Sequence, residues 1–282
     1  MSRKEVKKYN QAPLPFQGQK RKFLKEFETA IKQHFNDTTV FVDLFGGSGL
    51  LSHTVKQTLP QAQVVYNDFD NYRRRLSNIE RTNLLLTDLR LIVVDFPKEK
   101  RLSDDAKSVI LSRIKKEQKT GFVDYITLSS SLLFSAKYVT SFAGLSKETM
   151  YNNMKQSDYN ADNYLTGVEI VQQDYKELFS FWQNYQNVVF LVDPPYLSTD
   201  CSTYGNGNYW RLSDYLDVLQ VVTGTSYFYF TSNKSSIVEL CEWLELNNNG
   251  QNPFAGAIRK EIGATLNHSA KYMDIMLYKK RV

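Results

Sequence analysis

At 282 residues, with 42% hydrophobic and 23% charged side chains, the chain can bury a sizeable core and suits one medium domain with a large insertion or two small domains. Two cysteines, Cys201 and Cys241, are too few for a disulfide framework and have no partners at metal-ligand spacing, which excludes a disulfide scaffold and a structural zinc site. The net charge of +5 is modest, the basic N-terminus lacks an apolar signal-peptide core and no apolar run approaches membrane-spanning length, so a cytoplasmic protein with no membrane partner is expected.

The cations are clustered. Arg3, Lys4, Lys7, Lys8, Lys20, Arg21, Lys22 and Lys25 are set against one early acid, Glu5, and further clusters lie at 73–75 and at Lys115, Lys116 and Lys119. Such runs serve equally as solvated faces or as phosphate contacts, which add affinity without sequence information. Residues 13–20, Pro-Leu-Pro-Phe-Gln-Gly-Gln-Lys, place a ring, a glycine and a cation before a helix expected over 21–35. Gly18 lets the backbone approach a ligand, Phe16 can stack on it and Lys20 can pair with a carboxylate; a proline-rich helix entry accounts for the same residues.

Residues 39–45 are mostly apolar and run into Asp43-Leu44-Phe45-Gly46-Gly47-Ser48-Gly49 before a helical pattern over 50–59. Strand, glycine-rich turn and helix form the opening unit of a nucleotide-binding sheet, where glycine lets backbone and helix N-terminus come close to the ligand. The spacing is neither Gly-x-Gly-x-x-Gly nor a P-loop with its Lys-Ser/Thr, which disfavours a pyrophosphate ligand and a dinucleotide oxidoreductase. After a short strand over 63–66, Asp68 stands about 20 residues beyond the turn, where such sheets hold ribose hydroxyls. Asp70 is placed to cap a helix from about 71, and capping is the plain alternative for either acid.

From 71 to about 166 the pattern is helical, over 71–91, 103–118, 123–139 and 146–155, which reads as an inserted lobe. It mixes Arg73, Arg74, Arg75, Arg81 and Arg90 with Tyr125, Tyr138, Phe142 and Tyr151, a combination that fits nucleic-acid contacts and equally a core with a solvated face. The sheet pattern returns over 168–172, with Asp174 at the strand end before a helix over 175–182; its carboxylate can meet an adenine amino group or cap that helix.

Residues 188–192, Val-Val-Phe-Leu-Val, read as a strand buried on both faces that stops at Asp193. Pro194 and Pro195 have no N–H, so the ladder ends and the carbonyl between them is left as an acceptor, and Tyr196 adds a ring. Carboxylate, carbonyl and ring can together grip a flat group bearing an NH2, such as adenine; a strand-ending turn is the alternative. The loop to about 211 carries Tyr204, Tyr209 and Trp210, able to close over an extruded base. A helix over 212–222, a strand over 227–231, a helix over 235–246 and two strands over 257–262 and 272–278, joined by a link containing His268, complete the chain. The last pair is expected as an antiparallel edge on a parallel sheet.

In this order, Phe16-x-Gly18-x-Lys20, Phe45-Gly46-Gly47-Ser48-Gly49, Asp68 and Asp193-Pro194-Pro195-Tyr196 resemble the Dam-type N6-adenine DNA methyltransferases of the D12, or alpha, class. The resemblance covers 13–70 and 168–278. It implies an α/β fold: a Rossmann-like S-adenosylmethionine-dependent methyltransferase sheet, over 1–70 and 167–282, with an inserted, mainly helical target-recognition lobe over 71–166. It further implies that Phe16, Lys20, Asp43, Phe45, Gly46, Gly47, Gly49, Asp68 and Asp174 hold S-adenosylmethionine, Lys20 through its carboxylate and Asp68 through its ribose hydroxyls. Asp193, Pro194, Pro195 and Tyr196 would receive the target adenine, with Asp193 also touching the cofactor. The implied substrate is double-stranded DNA with a flipped adenine, methylated site-specifically; a cognate restriction endonuclease is a candidate partner, and no metal is needed.

The chain departs from the family pattern in two places. The usual Gly-Gly-Lys is Gly18-Gln19-Lys20, and the aromatic-Asn-Gly run with a following Arg is missing around 132–153, so no recognition sequence carries over. Two other readings fit the residues: a catalytically inactive nucleic-acid-binding protein on the same fold, and an RNA or protein-amide methyltransferase, whose related sites begin with Asn where this chain has Asp193.

Overall fold

A computed structural model of the chain describes residues 8–134, 137–195, 210–248, 252–267 and 270–281. Tyr196, Tyr204, Tyr209 and His268, and the early charges Arg3, Lys4, Glu5 and Lys7, lie outside the described residues. After a 3-10 turn at Arg21–Phe23 come α1 (Leu24–His34), β1 (Val40–Asp43), α2 (Leu50–Thr58), β2 (Gln63–Asn67), α3 (Tyr72–Leu76), α4 (Ile79–Ile92), α5 (Asp104–Thr120), α6 (Tyr125–Leu132) and α7 (Phe142–Lys147). Then follow β3 (Glu169–Val171), α8 (Tyr175–Trp182), β4 (Val188–Val192), α9 (Leu212–Val222), β5 (Ser226–Ser232), α10 (Ile237–Asn248), β6 (Ile258–Asn267) and β7 (Ala270–Lys279). No helix among the described residues is long and apolar enough to cross a membrane.

Two compact units emerge: Met1–Gln11, Gly18–Asp70 and Asn163–Val282 form one, and Ala12–Gln17 with Asn71–Asp162 the other. The first is an α/β unit built on a seven-stranded sheet of order β3-β2-β1-β4-β5-β7-β6. β3, β2, β1, β4 and β5 run parallel, and β7 is antiparallel to both β5 and β6. The all-apolar β4 is buried along its whole length, as a central parallel strand must be. Its side chains alternate between two cores. Val188, Phe190 and Val192 pack with α8, α9 and α10, while Val189 and Leu191 pack with α1 and α2. Reversal at β6 and β7 needs only a short link, which explains why the sheet ends in an antiparallel edge.

The second unit is helical and has its own core of Leu85, Leu89, Ile110, Ile114, Leu128, Leu132 and Leu145, plugged by Met150 and Met154. Three helical expectations change here. The pattern over 71–91 is broken, because the Ser77 hydroxyl and the Asn78 amide both donate to the Arg74 carbonyl and compete with helical bonding between α3 and α4. The helix expected over 123–139 stops at Leu132, where Leu133 turns extended. The pattern over 146–155 is not a helix beyond Lys147: Tyr151 bridges Arg101, and the 150–153 backbone bonds to Leu102, Lys100, Leu132 and Ser131. Its apolar spacing serves to seat the two methionines, with hydrogen bonds made to neighbouring chain rather than within a helix.

At the centre of this unit Arg75, 6% exposed, lies against Asp124, with both carboxylate oxygens 3.0 Å from Nε. Its Nη2 donates to the Pro15 carbonyl at 2.8 Å. Asp124 also caps α6 through the Thr127 N–H.

Candidate active site

The carboxyl ends of the parallel strands carry the chemistry. β1 delivers Asp43, fully buried, where Ser52 of α2 donates its hydroxyl to Oδ2 at 2.7 Å. The other oxygen, Oδ1, is buried with no hydrogen-bond partner among the described residues. Burial pushes the carboxyl up to about 7, the Ser52 hydrogen bond works against this, and the charge of Asp193 adds to it.

The glycine turn follows directly. Gly47 and Gly49 adopt positive φ, 50° and 73°, which a side-chain-bearing residue would enter at a cost. Gly46 is needed for a different reason: a Cβ there would lie 2.2 Å from two carbons of the Tyr66 ring. Tyr66, from β2, runs under the turn and places its hydroxyl 2.8 Å from the Gly47 carbonyl and 2.9 Å from Asp68 Oδ1. One phenol thus ties the turn to the acid at the end of β2. Asn67 does the same for the strand ends, donating to the carbonyls of Leu44 and Gln173 and accepting the Gln173 N–H. His53 of α2 buttresses the turn from behind: Nε2 accepts the Tyr9 N–H, which leaves Nδ1 to donate to the Tyr164 carbonyl, and the Tyr164 hydroxyl donates to the Ser48 carbonyl.

Asp193 lies just past β4 and is ion-paired to Lys20 at 2.6 Å. Lys20, 8% exposed, also donates to the Gly18 carbonyl at 2.8 Å, so the segment before α1 is pinned to this carboxylate. Burial raises the Asp193 carboxyl from its ordinary value; Lys20 opposes this and Asp274 adds to it. Pro194 is buried, Pro195 is partly buried and Tyr196 is outside the described residues.

Sequence reasoning selected these residues separately, and the fold gathers some of them. Asp43, Phe45, Gly46, Gly47, Gly49, Asp68, Lys20 and Asp193 all belong to the α/β unit, at or near the strand ends. Asp174 accepts the Lys176 N–H at 2.7 Å and so caps α8. Asp70 is not the cap residue of α3, which begins at a left-handed Asn71. Phe45 packs at 4.8 Å on Tyr175 and at 5.7 Å on Trp210. Phe16 belongs to the helical unit, edge-on to Tyr72 at 5.6 Å. Sequence reasoning missed Ser52, Tyr66 and Asn67. For Tyr66 and Asn67 a cue exists, since a polar pair ending an otherwise apolar strand has to spend its hydrogen bonds somewhere.

The class of protein follows from a mostly parallel α/β sheet with a glycine turn after β1 and an acid just past β4, taken with the family match. The sequence profile described as "D12 class N6 adenine-specific DNA methyltransferase" matches residues 16–217. A Haemophilus influenzae protein described as "Putative methyltransferase" is 38% identical over 283 residues, spanning 97% of this chain and 93% of the relative. A crystal structure of precorrin-6y C5,15-methyltransferase from Geobacter metallireducens aligns over 98% of this chain and 100% of its own, with a TM-score of 0.39 and 9% identity. The chain belongs to the D12 class of N6 adenine-specific DNA methyltransferases.

Proposed function

We propose that the pocket at the ends of β1, β2 and β4 binds S-adenosylmethionine and transfers its methyl group, site-specifically, to the N6 amino group of an adenine flipped out of double-stranded DNA. The residues suit that cofactor. The buried Asp43 Oδ1, with no hydrogen-bond partner among the described residues, is an acceptor a ligand ammonium can use. Asp68, fixed by Tyr66, is set to accept ribose hydroxyls, the Phe45–Gly49 turn offers backbone at close approach, and we assign Asp174, which caps α8, to the cofactor's adenine amino group. Lys20 is within reach of a carboxylate, which here is that of Asp193. When bound, the cofactor supplies an electrophilic methyl carried on a sulfonium.

The chain's own residues deal with a poor nucleophile. The lone pair of an adenine amine is delocalised into its ring. Accepting its two N–H groups, one on the Asp193 carboxylate and one on the Pro194 carbonyl, favours a pyramidal nitrogen and stabilises the positive charge that develops on it. Holding that nitrogen at contact distance supplies much of the rate through orientation. Extruding the base costs a few kcal/mol, and stacking on Tyr196 offsets part of it. Exposed cations of the helical unit, Arg73 and Arg74 among them, can contact phosphates, and we assign that unit as the target-recognition lobe. We place the enzyme in the cytoplasm, acting alone or beside a cognate restriction endonuclease.

The observation that carries this reading is the meeting of Asp193, Lys20 and a half-satisfied Asp43 beyond adjacent parallel strands. It is tested by supplying S-adenosylmethionine with a tritiated methyl to the protein and mixed DNA. Label should appear in N6-methyladenine, and Asp193→Ala should lower the rate more than about a hundredfold while cofactor affinity falls less. Label found only in RNA or protein, or equal rates for mutant and wild type, refutes it.

A further inference from the structure

Lys20 sits among more acids than it can neutralise. By strand alternation Asp43 shares a sheet face with Phe41, Asp193 with Leu191, Ser232 with Phe230 and Asp274 with Met276, and those apolar residues all belong to the core packed on α1 and α2. Asp274 is paired with Ser232 across β5 and β7, so it lies at the same end of the sheet as Asp193, on the side where Lys20 leads into the 3-10 turn before α1. Lys20 acts electrostatically on Asp43, Asp193 and Asp274 alike, and Lys22 acts on Asp274. Of these three acids, Asp193 is the one ion-paired to it. Asp274 has no ion pair or hydrogen-bonded side-chain partner among the described residues, although it is half-buried and its carboxyl is raised by that burial.

Leaving a half-buried carboxylate unpaired is costly unless something arrives to use it. If Asp193 receives the adenine amine, the ammonium now bonded to it must go elsewhere, and moving it away from all three acids would leave them uncompensated. We propose that Asp274 is a positioning residue that takes over Lys20 when the exocyclic amine claims Asp193, so that the lysine swings between two carboxylates on one face of the sheet. This rests on the reading of Asp193 as the acceptor of the target amine. Asp274 touches neither substrate nor cofactor; it acts by freeing an oxygen of Asp193. No bond is made or broken in the swing, and the net charge of the group stays the same.

The test is steady-state kinetics of wild type, Asp274→Asn, Asp274→Glu, Lys20→Met and the Lys20→Met/Asp274→Asn double variant on DNA, with S-adenosylmethionine binding measured by calorimetry. Asp274→Asn should lose on the order of tenfold in kcat/KM for DNA, the worth of one hydrogen bond to a charged group, keep cofactor affinity within about twofold, and recover with Asp274→Glu. In the Lys20→Met background the Asn change should add nothing. Wild-type kcat/KM in Asp274→Asn overturns the proposal, as does an equal loss with and without Lys20, or loss of cofactor binding by an Asp274→Asn protein that still melts like wild type. Were Asp274→Asn not to fold, the Glu variant decides: activity near wild type with Lys20 present and no difference from Asp274 in its absence supports the swing, and any other result refutes it. Methyl transfer to DNA by wild type separates the two readings, since its absence removes the adenine assignment itself.

Discussion

Replacing Gly46 by Ala tests whether the glycine turn is held by Tyr66. The new Cβ would lie 2.2 Å from Cδ2 and Cε2 of Tyr66 and 2.8 Å from the Asn67 carbonyl oxygen. Neither neighbour can give way freely, because Tyr66 is fully buried with its hydroxyl against Gly47 and Asp68, and Asn67 is bonded to Leu44 and Gln173. Overpacking of a rigid site costs about 1–3 kcal/mol, and displacing the phenol forfeits a hydrogen bond worth roughly 1 kcal/mol more. The total, roughly 2–4 kcal/mol, should lower Tm by several degrees. Cofactor affinity should fall with it, since turn and Asp68 move together. Gly263→Ala is the control, with nothing within 4 Å of its added Cβ. Differential scanning calorimetry and cofactor titration on both variants decide the matter. A Gly46→Ala protein that melts and binds like wild type would show that Tyr66 does not brace the turn.

Three further outcomes follow from the same geometry. Tyr66→Phe keeps the ring under Gly46 but removes the bond to Asp68, so cofactor affinity should drop on the order of tenfold with Tm changed by little; an unchanged affinity would exclude Asp68 as a tyrosine-held ligand group. Asp43 has a folded carboxyl raised from 3.8 to about 7. The native protein therefore keeps a proton that the unfolded chain has shed, and the stability Asp43 contributes is lost as pH rises through that window. In cofactor-free protein Asp43→Asn should flatten the decline of Tm between those pH values, and identical slopes in mutant and wild type would refute the assignment. In the helical unit, Arg75→Met leaves Asp124 buried without its cation and should cost about 3–5 kcal/mol in urea unfolding. A loss below about 1 kcal/mol would mean the pair is not needed for folding.

Much of the α/β unit is written in local pattern. The apolar run of β4, the alternation in the apolar cores and the glycines at positive φ are each dictated by a few adjacent residues, so the strand ends and their acids could be placed before any coordinates. The helical unit reads less well. Helical spacing of apolar residues over 146–155 marks burial, and burial is satisfied as fully by an extended segment seating Met150 and Met154 as by a helix.

The sequence alone determined which carboxylates stand at strand ends, that a glycine turn follows β1, and the family to which the chain belongs. Only the tertiary structure decided how these groups are paired: that Lys20 meets Asp193, that Asp43 Oδ1 finds no hydrogen-bond partner among the described residues, that Tyr66 and Asn67 bind the turn to the neighbouring strand ends, and that Asp274 joins the same face. The reason is physical. Residue type and spacing fix local conformation, whereas an ion pair between residues 20 and 193 depends on the order in which strands enter the sheet, a property that spacing along the chain does not contain.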